Sequence, residues 1–341
     1  MKKTVKSHKS YDQQLELLKK RGMIISDDKW AIKKLKQLGY YRLSGYWYRY
    51  RSLTESFPQQ SQSNLRALSK PSQRNFKRDD TFVPNTTFEK VNSLYLFDCE
   101  LRILLFEGIA RIENYIRSVI AYTIGKEDPM GYKNKSFIAP KCLEKKIENG
   151  ETKPSLYDIY FSKLKSCIKN SKDDCILWHN KNYQDIPIWV VTEVWDFGML
   201  SRFYGLLKDK YKLIICQAIF KDNRLANSYK SNMQGALQHL NVIRNKCAHH
   251  ARVWNSSINS PKFSENLLNE LKIINPADVT NEKIFGTICL MWVLIKRFSD
   301  NSEWLNKIIE HIESLPDLVD DINYSEMGFT HADLDNLRKL I

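Results

Sequence analysis

Residues 97–117 read FDCELRILLFEGIARIENYIR, and the spacing of their apolar residues decides the fold class. Extended outward to residues 87–124, the pattern places Leu94, Phe97, Leu101, Leu104, Leu105, Ile109, Ile112, Ile116 and Ile120 three and four positions apart. That is the repeat of one buried helix face, and it is the longest helical pattern in the chain. The other faces carry Arg102, Arg111, Glu113, Asn114 and Arg117. Arg111, Asn114 and Arg117 follow one another at intervals of three, and Glu113 precedes Arg117 by four. A Glu–Arg pair at that interval is ordinarily a surface ion pair worth roughly 0.2–0.5 kcal/mol. The same pair orients a site if the helix around residues 233–253 packs beside it.

The rest of the chain is helical by the same criterion. Residues 11–22 and 28–39 are expected as two short helices, the second capped in the Ser26–Asp27 region. One helix is expected at 155–170, inside an otherwise irregular and lysine-rich 131–185. Pro187 suits the first turn of a helix that carries Trp189, Glu193 and Phe197 four apart, with Gly198 breaking it before a second helix at 199–208. Helices at 226–252, 263–273, 281–298 and 303–314 complete the set. From Arg51 to about Asp80 the chain is rich in Ser, Gln, Lys and Pro and poor in apolar residues, the composition of a flexible loop. The expected protein is therefore all-α, with a small N-terminal helical unit at 1–52, a polar linker at 53–82 and a multi-helix bundle at 83–341.

With 53 Lys and Arg against 39 Asp and Glu, the chain carries a formal charge of +14. That excess favours a polyanionic partner, either nucleic acid or an anionic membrane surface, although a generally lysine-rich composition produces it too. No run reaches the ~18–20 apolar residues of a membrane span. The longest, residues 288–295, suits a core helix. The first ten residues are basic with no apolar stretch behind them, unlike a secretory signal. Seven cysteines without any CxxC pair point to a reducing compartment and away from a disulfide framework or a zinc site. The expectation is a cytoplasmic protein with no membrane contact and no cofactor.

Chemistry concentrates in Arg244-Asn245-Lys246-Cys247-Ala248-His249-His250, which runs on into Ala251-Arg252-Val253-Trp254-Asn255. Arg presents a planar fork of donors matched to phosphate oxygens and keeps its charge. His titrates near neutrality and moves a proton in either direction. RNA carries its own nucleophile, the 2′-hydroxyl, so an Arg and a His can cleave it without a metal. None of the other histidines, His8, His179, His239, His311 and His331, has such an Arg upstream.

Projected on a helix over 233–253 at about 100° per residue, Ala236, Leu237, Leu240, Ile243, Cys247 and Ala248 form an apolar arc. Asn241, Asn245, His249 and Arg252 run beside it, with Arg244 on the border. His239, Val242, Lys246 and His250 take the remaining side. The four-residue spacing lets Asn245 hold the His249 ring in one tautomer. His249 is thus the expected acid/base, with Arg244 and Asn245 as catalytic partners and His250 supporting. An ordinary polar face with a solvated His pair fits the same geometry. Cys247 with His249 and His250 lacks further ligands at suitable spacing, so no metal site is expected.

Residues 39–50 interleave aromatics with arginine. Arg42, Tyr46, Trp47 and Arg49 suit stacking on bases with charge on the backbone, and Arg252 is a further candidate RNA contact. A packed aromatic core accounts for the same block.

Four blocks in order carry a resemblance: residues 39–50, Phe97-Asp98-x-x-Leu101-Arg102 through Arg117, residues 189–204, and Arg244-Asn245 to Trp254-Asn255. Together they resemble the bacterial abortive-infection family of the AbiD/AbiF type, which belongs to the wider HEPN group of helical ribonucleases. The resemblance covers roughly residues 11–300. It implies a HEPN-like bundle with an Arg-x4–6-His active site, metal-independent RNA cleavage and a role in defence against phage. It carries Arg244 and His249 onto this chain, with Asn245 and His250, and Arg111, Glu113 and Arg117 of the earlier helix as supporting residues. A single such motif is present, so the resemblance further implies a homodimer that brings two copies together. The partners expected are an RNA substrate, a regulatory small RNA and a second copy of the chain. A non-catalytic RNA-binding or sensing protein stays open beside the ribonuclease, as does a module for an acidic protein partner.

Overall fold

The structure, a computed structural model, describes residues 5–53, 78–258, 271, 282–301, 303–316 and 323–341. Among these residues the protein is all-α, with fifteen α-helices and two small antiparallel sheets of two strands each. The chain divides into two units, Met1–Glu100 with His311–Ser325, and Leu101–Glu310 with Glu326–Ile341.

In the first unit, α1 (Tyr11–Lys20) opens on a reciprocal cap. The Ser10 hydroxyl accepts from the Gln13 N–H at 3.2 Å, and the Gln13 side chain accepts from the Ser10 N–H at 2.9 Å. α2 (Asp28–Leu38) is capped by Asp27, which accepts from the Trp30 N–H at 3.0 Å. Gly39, at φ +81°, turns the chain at once into α3 (Tyr40–Trp47). Leu43, Tyr46 and Trp47 are buried, as are Leu15, Leu18, Leu35 and Phe88. β1 (Arg51–Leu53) pairs with β2 (Arg78–Phe82), and Asp80 of β2 meets Arg21 at 2.7 Å and Arg51 at 3.0 Å. The two ends of the expected 53–82 linker are therefore strands, and its residues 54–77 lie outside the described residues.

α4 (Phe88–Glu127) contributes its first turns to the first unit and the rest to the second. In the second unit its Leu101, Leu105, Ile109, Ile112, Ile116 and Ile120 are fully buried, as their spacing requires. Residues 131–185 hold more structure than expected: α5 (Pro140–Leu143), a hairpin of β3 (Lys146–Glu148) and β4 (Glu151–Lys153), α6 (Leu156–Asn170) and α7 (Asp174–Asn182). Then come α8 (Ile188–Val191), α9 (Phe197–Leu206), α10 (Asp209–Phe220), α11 (Asn223–Tyr229), α12 (Met233–Ala248), α13 (Ile284–Ile295), α14 (Glu303–Glu313) and α15 (His331–Arg338). The helix expected at 263–273 lies outside the described residues but for Leu271, which is in a bend. Every residue of α13 is buried, the core helix that its apolar run predicts. No described helix is long and apolar enough to cross a membrane.

Glycines set two close packings in this second unit. A Cβ at Gly108 of α4 would lie 2.6 Å from both Met291 Cε and Trp304 Nε1, and that indole donates to the Leu104 carbonyl at 2.9 Å. On α9, a Cβ at Gly198 would face the Asn241 side chain at 3.5 Å, and one at Gly205 would meet Gln234 at 2.4 Å. Seven residues separate the members of each set in opposite senses, so α9 and α12 run antiparallel on a glycine face. Gly198 thus sits in the first turn of α9, facing α12 at ordinary contact distance, and is not the break expected of it. The break falls just before, where Asp196 accepts from the Met199 N–H at 2.6 Å and starts the helix. The helix expected at 226–252 is divided into α11 and α12 and stops at Ala248.

Candidate functional site

α12 ends in a turn that fixes both histidines. The Ala251 N–H reaches back to the Lys246 carbonyl at 2.8 Å and the His250 N–H to the Cys247 carbonyl at 3.1 Å. These two bonds make a Schellman cap, which requires a left-handed residue at its centre. That residue is His250, at φ +55°, where glycine is usual. His249 is the C-cap, at φ −92° and ψ 13°. Immediately beyond, Val253 and Trp254 are buried and pin the turn to the core. Both histidine side chains stay exposed on this anchored turn. Arg252 lies past the helix end and is half-buried, so it does not continue the Asn241–His249 row as a straight helix would place it.

Arg244 points to α4. Its guanidinium carbon sits 5.6 Å from the centre of the Phe106 ring, a cation–π contact, and its Nη1 donates to the Asn245 side-chain oxygen at 3.4 Å. Asn245 therefore engages Arg244, while the His249 ring makes no hydrogen bond among the described residues. The expected Asn245–His249 bond is not formed, because Asn245 has turned toward the cation. About two turns of α4 further on, Glu113 accepts from Arg117 at 2.8 Å. This pair is largely buried, at 13% and 15% side-chain exposure, and is not the surface pair that its spacing alone suggests. Arg117 also donates to the Trp195 carbonyl at 3.0 Å and to Asn114 at 3.3 Å. Burial raises the Glu113 carboxyl above its ordinary value; the charges of Arg117 and Arg244 oppose this, and Asp196 adds to it. For Asp196, burial works upward but is outweighed by bonds from Lys163 and the Met199 N–H and by the charges of Lys163 and Arg202, so its carboxyl sits low.

The structure thus sets Arg244 against Asn245 and Phe106, with its charge felt at the Glu113–Arg117 pair, and leaves His249 and His250 exposed at the helix end. Arg111 goes elsewhere: it donates to Ser299 at 3.0 Å and lies 5.9 Å from the Phe298 ring. In the first unit, Tyr46 and Trp47 are 2% and 0% exposed and cannot stack on a base in this conformation. Tyr46 donates to Asp98 at 2.6 Å, and Trp47 packs edge-on to Tyr40 and Phe82. In the block at 39–50, Leu43, Tyr46, Trp47 and Tyr50 are core, while Tyr41 and Tyr48 are exposed, as is Arg42, and Arg49 is half-buried. Phe106 and Asp196 escape the sequence reading. Phe106 carries a signal, since it is a large apolar residue off the buried stripe of its helix and is 38% exposed.

Among the described residues, no group of three or more His, Cys, Asp or Glu is placed to hold a metal ion. No curated protein and no solved structure matches the chain. A family model described as Abi-like protein matches residues 33–255. That range takes in α3, the Glu113–Arg117 pair, the α9–α12 packing and the Trp254 anchor. It spans well over half of the chain, and the chain belongs to the Abi-like protein family.

Proposed function

We propose that this protein is a metal-independent endoribonuclease of the abortive-infection type, of AbiD/AbiF character within the HEPN group. Family membership supports the abortive-infection role. One observation carries the finer reading: Arg244 is oriented by Phe106 and Asn245 near a buried Glu113–Arg117 pair, and His249 follows it on a turn fixed by a Schellman cap and a buried Trp254. A preorganised cation and an accessible imidazole are the two groups that attack by a 2′-hydroxyl needs. His249 removes the 2′-OH proton or protonates the departing 5′-oxygen. Arg244 stabilises the charge that gathers on the phosphorus-bound oxygens. The products are a 2′,3′-cyclic phosphate and a 5′-hydroxyl. The +14 charge suits the polyanionic substrate.

Arg244 and His249 stand about 140° apart around the helix axis. A single copy thus offers them in different directions, and a homodimer that apposes two α12 ends supplies each phosphate with both. Cleavage recovered on mixing Arg244→Ala with His249→Ala supports this pairing; no recovery between subunits shown to exchange contradicts it. The chemistry is tested by incubating wild type and His249→Ala with labelled single-stranded RNA in EDTA and analysing the ends. Wild type yields cyclic phosphate, and the variant is slower by about 10²-fold or more. Equal rates, or loss of wild-type cleavage in EDTA, would overturn the assignment. The same angular divergence favours a second reading, a non-catalytic RNA-binding or sensing protein. RNA binding without cleavage, unchanged in His249→Ala, would select it.

A further inference from the structure

Beyond Arg117, one face of α4 is floored by small residues. Ser118, Ala121 and Gly125 lie three and four positions apart and, with Trp189 and Glu193 opposite, border an open cavity of about 740 Å³. Ligand clefts typically measure ~300–1,000 Å³. Two large rings edge this one and remain in solvent, Tyr122 at 74% exposure and Trp189 at 52%. Gly125 fixes the position of the second ring: a Cβ there would lie 3.1–3.2 Å from indole carbons of Trp189 and 3.0 Å from Ile188. Bare backbone at that point lets the indole rest on the helix with its outer part in water.

The ends of the groove are polar. Asn114 and Arg117 close one end, and Arg117 is shared with the Glu113 pair that Arg244 influences. Lys126 stands at the other, nine residues or about 13 Å along the helix, exposed and in no ion pair among the described residues. A purely apolar guest would leave these charges poorly solvated. An acidic peptide would face the Glu193 carboxylate, while Arg117 is already engaged. Flat aromatic surfaces with a cation beside them match a nucleobase and its phosphate.

We propose that this groove is a base-stacking subsite for single-stranded RNA, in which an unstacked nucleobase lies against Tyr122 and Trp189 and Lys126 holds the adjoining phosphate. The inference rests on the ribonuclease reading and adds the path of the strand, along α4 from Lys126 toward Arg117.

The test uses the full chain carrying His249→Ala, so that binding is measured without cutting. Its affinity for a short labelled single-stranded RNA is compared with that of the same chain carrying Tyr122→Ala, Trp189→Ala or Trp189→Phe. Each alanine is expected to weaken binding about tenfold, and phenylalanine to restore most of it. Tyr122 is mostly in water, so its variant reports even if Trp189→Ala unfolds. Parental affinity in both alanine variants overturns the subsite. A free mononucleotide bound as tightly as the oligonucleotide overturns the assignment to an RNA strand. If wild type cleaves RNA while the ring variants bind it unchanged, the groove fails alone. If no form binds or cleaves RNA, the groove and the ribonuclease fail together.

Discussion

At His250 a backbone φ of +55° is imposed on a side chain that the sequence offers as a second proton carrier. Conformation and chemistry make opposite demands there, and one substitution separates them. Glycine accepts the left-handed turn without a Cβ, so His250→Gly should preserve the cap and stabilise the fold by up to about 1 kcal/mol. On a domain of this size that is a rise of roughly 2–4 °C in Tm. If His249 carries the proton, cleavage by His250→Gly should stay within a few-fold of wild type. A thermal melt with a parallel cleavage assay checks both, and a hundredfold loss of cleavage in a stable variant would move the acid/base to His250. The sequence reveals the Arg244–His249 spacing but not this turn, because a histidine standing where glycine is usual gives no sign that the helix stops.

Among the elements, what could be read follows from how plainly each is marked. α4 is legible because its apolar stripe runs for many turns, and α2 because Asp27 announces it; the Ser10 cap of α1 emerges only in the structure. α10 is absent from the sequence expectations. Lys208 provides no side-chain cap at its start, and Lys221, at φ +53°, replaces glycine at its end. The Glu113–Arg117 pair is legible as a spacing, but the Trp195 carbonyl that Arg117 meets and the Asp196 charge that acts on Glu113 are far off in sequence. Gly108 lies where a helix former is expected, and its reason is tertiary. Gly108→Ala gains about 1 kcal/mol in helix propensity but drives a methyl into the Trp304 indole and Met291, an overpacking that costs about 1–3 kcal/mol. The expected result is a net loss of stability in denaturant titration; a variant more stable than wild type would contradict the close packing of α4 on α13 and α14.

For the whole molecule, one contribution to acid stability comes from a histidine that the helical projection leaves outside the apolar arc. His239 is fully buried, with Nε2 2.8 Å from the Thr287 hydroxyl, and burial lowers its pKa to about 4. Unfolded chain binds a proton there from about pH 6.5 downward, whereas folded chain does not until about pH 4. Its contribution is therefore complete above pH 6.5 and is lost as pH falls toward 4, by about 3 kcal/mol. His239→Leu should flatten this part of the pH–stability curve, while losing about 1–3 kcal/mol at pH 7 from the unpartnered Thr287 hydroxyl. An unchanged slope in that window would show that His239 does not titrate on unfolding.

The central claim is that Arg244 and His249 direct attack by a ribose 2′-hydroxyl. An oligodeoxynucleotide containing a single ribose tests it most directly, with wild type, Arg244→Ala and His249→Ala assayed in EDTA. Wild type should cut only on the 3′ side of that ribose and leave a 2′,3′-cyclic phosphate, and each variant should be slower by about 10²-fold or more. Cleavage at the deoxynucleotides, or equal rates in all three proteins, would contradict the account.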